Sequence, residues 1–211
     1  MVRKTLLICG ILASLLYAAM VIFIPLLYEG YSSASQTVSE LSAVGAPTRT
    51  LWVWLGVPYA IFETAFGCGV WLSAERNRWL RVAGGALILH GILALSWPPM
   101  HPRGTEFTLT DTLHIVWAGI VSLLFVLAMG LAAAALDKRF RAYSIITIVI
   151  LLVFGGLTGL DSPNVAANLP TPWIGVWERI NIAAFLVWTT VLAIKLLRAQ
   201  MQVRQPGTTL H

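Results

Sequence analysis

Six apolar stretches, each nearly free of charge and parted by polar segments, run through the chain at residues 5–28, 51–74, 82–98, 112–136, 142–160 and 173–197. About 20 apolar residues is the length of a helix that crosses a bilayer. The runs are continuously apolar, without the alternation of a membrane strand, so the pattern predicts helices and not a barrel. Composition agrees: of 211 residues, 58% are hydrophobic and only 11% charged, and the mean hydropathy is +0.80. A soluble domain carries about 25% charged residues, and one soluble core could not hide this much apolar surface. These figures exclude a disordered chain, a disulfide-built secreted module and a cytosolic enzyme. The expected fold is all-α, a single polytopic six-transmembrane-helix bundle over residues 1–200 followed by a polar tail at 201–211.

The basic residues orient that bundle. Eleven of the fourteen flank the two ends of the chain or lie in the second and fourth loops, and only Arg49, Arg103 and Arg179 lie on the other side. The positive-inside asymmetry predicts a multi-pass protein of the cell membrane, a bacterial inner membrane, with both termini cytoplasmic. The net charge of +5 and the pI near 9.6 invite a nucleic-acid reading. Short basic clusters between apolar runs are topology signals instead, and no nucleic-acid partner is expected. The first stretch is too long for a signal-peptide core and is read as an uncleaved anchor. Most of the nine tryptophans fall near span ends, as an aromatic belt does. Cys9 and Cys68 lie inside spans without C-x-x-C spacing and read as inert apolar residues.

The longer polar segments are the odd-numbered loops, which share the outer face. In the first, Thr37 and Glu40 have capping-box spacing and Gly45 precedes Pro47, which predicts a short interfacial helix offering Ser39, Glu40 and Ser42. In the third, His101 and Arg103 sit in a proline-bracketed loop. Thr110 or Asp111 is placed to cap the fourth span, and Asp111 shares a helical face with His114. A carboxylate beside an imidazole either orients a base or joins it on a metal. In the fifth, Thr171 and Pro172 suit the start of the last helix, and Glu178 and Arg179 follow inside it. Charges at that depth need partners. Glu40, Asp111, His114, Glu178 and Arg179 are therefore expected to converge in one polar pocket, with Arg179 neutralising Glu40 or Asp111.

Two ionisable residues lie deeper. Glu63 and His90 are each roughly 14–18 Å from the tight second loop at about 1.5 Å per residue. They are expected to face one another across neighbouring helices, as a polar clamp or as a proton-handling pair.

Ser39-Glu-Leu-Ser-Ala-Val-Gly-Ala-Pro47, Pro99-Met-His-Pro-Arg-Gly104 with Thr110-Asp-Thr-Leu-His114, and Trp177-Glu-Arg179 resemble the signatures of the bacterial integral-membrane family called domain of unknown function 998. Where that family has an F-P-x-D type element, this chain reads Trp97-Pro-Pro-Met-His101, with His101 in place of the acid. The resemblance implies a six-helix membrane bundle and brings no established activity.

Three functions follow from these residues. The first is binding of a lipid headgroup or small amphiphile at the outer face by Ser39, Glu40, His101, Arg103, Glu178 and Arg179, with membrane lipid as the partner. The second is a membrane-embedded lipid hydrolase. It would use His114 as proton acceptor with Asp111, or a metal held by members of the set His101, Asp111, His114 and Glu178. The third is a small-solute transporter coupled through Glu63 and His90. Binder and enzyme stay open at this point, as do any cofactor, the metal and the oligomeric state.

Overall fold

The computed structural model describes residues 1–203. It contains six helices: α1 (Val2–Phe23), α2 (Arg49–Ser73), α3 (Arg78–Ala94), α4 (Leu109–Ala135), α5 (Lys138–Ala166) and α6 (Ile174–Val203). Two 3-10 turns, Ile24–Leu27 and Val38–Ser42, follow α1, and the described residues contain no strand. Each helix packs on its neighbours in the chain, and α6 returns to α1, so the six form a closed up-and-down ring. We call the end that carries the N-terminus the near end, and the end that carries the first, third and fifth loops the far end.

Short side chains make the near-end hairpins tight. Asn77 accepts from the amides of Trp79 and Leu80 to start α3, and Asp137 accepts from those of Arg139 and Phe140 to start α5. Asn77 also donates to the Ala135 carbonyl at 3.1 Å, and Arg141 to the Ala133 carbonyl at 3.1 Å. These two bonds satisfy carbonyls that the end of α4 would otherwise leave open. An ion pair between Lys195 and Asp137 ties α6 to the same hairpin.

The apolar core fills the near half. Leu7, Phe66, Val70, Leu87, Phe125, Met129, Trp188 and Leu192 are buried together there, and the Trp188 indole donates to Ser144 Oγ at 3.0 Å. α2 and α3 meet backbone to backbone. A Cβ on Gly67 would sit 2.5 Å from the Ile88 nitrogen, and one on Gly91 would sit 2.6 Å from the Thr64 nitrogen. Small residues permit such contact, which packs helices closely in lipid.

The exterior is apolar. Leu15, Leu26, Trp54, Leu123 and Leu160 are all more than 60% exposed, a surface that lipid solvates and water does not. Five helices, all but α3, are long and apolar enough to cross a membrane. The chain is an all-helical, multi-pass membrane protein.

The helix bounds depart from the expected spans at three places. α3 has 17 residues, about 25 Å long. It starts earlier than residue 82 because Asn77 caps it, and it stops before the Trp97-Pro-Pro sequence, since a residue preceding proline avoids the helical conformation. α5 runs six residues past 160, through Pro163, and carries Asp161 and Asn164 within the helix rather than in a loop. α6 begins at Ile174 and extends to Val203. The expected tail from 201 thus begins as helix, and its remainder, with Arg204, lies outside the described residues.

Candidate functional site

The polar residues of the odd loops gather at the far end, in two linked groups. The first is built on the 3-10 turn Val38–Ser42. Thr37 and Glu40 form the expected capping box, with Glu40 Oε2 accepting from the Thr37 amide at 2.6 Å and from its hydroxyl at 3.0 Å. Arg103 reaches down from the third loop and closes on the same carboxylate, Nε to Oε1 at 2.6 Å and Nη2 to Oε2 at 3.0 Å. Its other donors go to Thr171 Oγ1 at 2.7 Å and the Ser35 carbonyl at 2.9 Å. One guanidinium therefore binds three loops together. A fork of five donors on a rigid plane is what makes arginine suited to such a position.

Glu178 enters from α6. It accepts from the Val38 amide at 2.5 Å, so it caps the 3-10 turn from another helix. Arg179, beside it, donates to the carbonyls of Ser33, Gln36 and Gly175 at 2.8, 3.2 and 3.1 Å and to the Tyr31 hydroxyl at 2.9 Å. Tyr31 in turn donates to the Thr37 carbonyl at 2.7 Å. Burial raises the Tyr31 phenol to about 12, against the pull of Arg179, so it remains a donor at any physiological pH. Ser39 is half-buried, and its carbonyl accepts from the Ser42 hydroxyl.

The second group sits at the start of α4. Asp111 Oδ1 accepts from the His101 amide at 2.7 Å. Its Oδ2 accepts from the Thr108 amide and hydroxyl at 2.9 and 2.7 Å and lies 3.0 Å from His101 Nδ1. His101 is thus an imidazole oriented by a carboxylate, with its side chain about one-third exposed. His114 faces elsewhere. Its Nδ1 meets the Pro98 carbonyl at 2.7 Å and the Trp97 indole N–H at 3.1 Å, contacts that belong to opposite tautomers. A backbone bond from Val44 to the Met100 carbonyl at 2.8 Å joins the two groups.

Four expectations are corrected here. Arg103, not Arg179, neutralises Glu40, because the third loop carries it over the capping box while Arg179 is taken up by carbonyls. Asp111 pairs with His101 instead of His114. As the third residue of α4 it turns back to complete a capping box with Thr108, away from the residue one turn on. Thr108 is the cap, in place of Thr110 or Asp111. Finally, the four metal candidates divide between the groups, and no three His, Cys, Asp or Glu side chains among the described residues are grouped to hold a metal ion. Sequence reading overlooked Tyr31, Thr108 and Trp97. For Thr108, the spacing Thr108-x-x-Asp111 was a signal, since it repeats the capping-box pattern of Thr37 and Glu40.

A pocket of about 320 Å³ opens beside the first group, lined by Tyr28, Gln36, Glu40, Val44, Pro102 and Arg103 among others. A shallower groove of about 460 Å³ lies on the other side of the 33–36 segment, apolar along Val176, Ile180 and Ala183 and headed by Arg179.

No curated protein and no solved structure matches the chain. The profile of the family described as "Protein of unknown function (DUF998)" matches residues 11–195, which takes in α2 to α5, most of α1 and α6, and both polar groups, and the chain belongs to that family.

Proposed function

We propose that this membrane protein binds a lipid headgroup or small amphiphile at its far end, in the pocket beside Glu40 and Arg103. In this reading α3 is a sixth span, both termini are cytoplasmic, and the Val38–Ser42 turn lies at the outer interface of the cell membrane. The observation that carries the reading is the pocket itself. It is concave and combines apolar walls at Tyr28, Val44 and Pro102 with the charged Glu40 and Arg103, and in this reading it lies at the level where the polar and apolar halves of a lipid meet. The floor is a paired carboxylate and guanidinium, so it offers a dipole without net charge, which suits a zwitterionic headgroup better than a simple anion.

The test fills the pocket and leaves its floor alone. Val44 is 38% exposed on the wall, and Val44→Trp should abolish the rise in melting temperature that added phosphatidylethanolamine gives the delipidated wild type, while the melting temperature without lipid stays the same. An equal rise in both proteins overturns the reading.

A second reading has one observation of its own. The Asp111–His101 pair orients an imidazole whose Nε2 makes no hydrogen bond among the described residues, as a general base would require. A lipid-hydrolysis assay with His101→Ala separates this enzyme reading from the binder.

A further inference from the structure

The middle of the bundle holds a polar pair that the far-end groups do not use. Glu63 of α2 is 0% exposed and His90 of α3 is 6% exposed, with Nδ1 3.7 Å from Oε1. That gap is too long for a hydrogen bond. Both carboxyl oxygens of Glu63 and Nδ1 of His90 have no partner among the described residues. Phe125 of α4 and Phe185 of α6 lie against the imidazole, with ring centres at 5.2 and 5.8 Å. Orphaned polar atoms in such surroundings are costly. The backbones are already in contact beside the pair, where Gly91, next to His90, abuts Thr64, next to Glu63. Rotation of the two side chains, rather than movement of the helices, is what brings Nδ1 within hydrogen-bonding distance of the carboxyl.

A charge count says what the pair holds. Net charge is the most costly state in an apolar interior. Two arrangements are neutral overall: a carboxylic acid beside a neutral imidazole, and a carboxylate beside an imidazolium. Each contains one labile proton. In the first it is bonded to a Glu63 oxygen. When it moves to His90 Nδ1 the O–H bond breaks, an N–H bond forms, and the total charge is unchanged.

Two phenols of the neighbouring helices lie on the far-end side of the pair. Tyr59 lies one turn before Glu63 on the same face of α2 and is 6% exposed. Its ring centre is 4.7 Å from that of Tyr17 on α1. Tyr59 lies within Coulombic reach of Glu63, and Tyr17 within that of Glu178, the residue that caps the far-end turn. α1 runs toward the far end and α2 away from it, so these phenols lie between Glu63 and the far-end groups. We propose that Glu63 and His90 form a proton-binding site at the centre of the bundle, loaded from the far end through Tyr59 and Tyr17.

The experiment is infrared difference spectroscopy and imidazole ¹⁵N NMR on the full chain in lipid nanodiscs. At neutral pH either a protonated-carboxyl band, lost in Glu63→Gln, or a His90 imidazolium signal is expected. Deuteration of that group in heavy water should slow at least about tenfold in Tyr59→Phe, which keeps the ring and removes the hydroxyl, equivalent to about 1.4 kcal/mol on the barrier. His90→Phe should shift the carboxyl band. Where Glu63→Gln does not fold, that shift identifies the band. A Glu63 carboxylate together with a neutral His90 in the folded protein overturns the site. Wild-type deuteration in Tyr59→Phe overturns the route.

Discussion

Arg103 and Glu40 lie 63 residues apart in the chain and meet through two hydrogen bonds, with the carboxylate 5% and the guanidinium 17% exposed. The contact fixes the third loop onto the turn that precedes α2. It also makes each residue dependent on the other.

Removing only Arg103 leaves a buried carboxylate without its counter-charge. Arg103→Ala should therefore destabilise the protein by about 3–5 kcal/mol. Glu40→Leu combined with Arg103→Met should recover much of this loss, because an apolar pair has no charge to desolvate. Unfolding in mixed micelles measures both, and a double variant no more stable than Arg103→Ala would refute the account.

The glycines of the α2–α3 contact should respond oppositely to those in open positions. Gly91→Ala drives a Cβ into the backbone of α2 and should cost about 1–3 kcal/mol. A Cβ on Gly130 meets nothing within 4 Å, so Gly130→Ala should stabilise by about 0.5–1 kcal/mol through helix propensity. The same unfolding measurement reads both signs.

The near-end ion pair gives a pH dependence. Its hydrogen bond to Lys195 holds the exposed Asp137 carboxyl at about 2, below its ordinary 3.8. Because the folded value is depressed, the stabilisation is present above the ordinary value and is lost as pH falls toward 2. Asp137→Asn keeps the cap and removes the charge. The melting-temperature gap between wild type and Asp137→Asn should narrow over that acid window, and a gap that stays constant through it would count against the pair.

Orientation is open to thiol labelling. With Cys9 and Cys68 replaced by alanine, Glu106→Cys should react with an impermeant maleimide from outside intact cells, and Arg139→Cys only after permeabilisation. Both positions are exposed. The reverse pattern would place the termini outside.

The parts of this architecture that repeat were legible in the sequence. The six apolar runs all became helices, and Glu63 and His90 do face each other, because depth along a helix follows from residue count. The far end was legible only residue by residue. Which arginine takes Glu40 depends on how the loop through Pro102 and Gly104 folds back, and Gly104 does so at a φ of +76° that no periodicity announces. Asp111 was found as a helix-start carboxylate, but its partner was misassigned. Facing on a helix places His114 near it, whereas the capping box that forms turns its oxygens toward Thr108 and His101.

The closure of α6 on α1 has a consequence for how the protein is made. The segment after α1 is completed by residues some 140 positions later, through Gly175 to the Ala34 carbonyl, Glu178 to Val38 and Arg179 to Ser33. A nascent chain that has inserted five helices still lacks these partners. Its first loop carries polar groups that only the sixth helix satisfies. Translation elongates at roughly 5–20 residues per second, so the loop waits roughly 7–28 seconds beside the membrane for the last segment to emerge. Chains truncated ahead of α6 should insert and yet remain substrates for quality-control proteolysis, with the first loop as the place of cleavage.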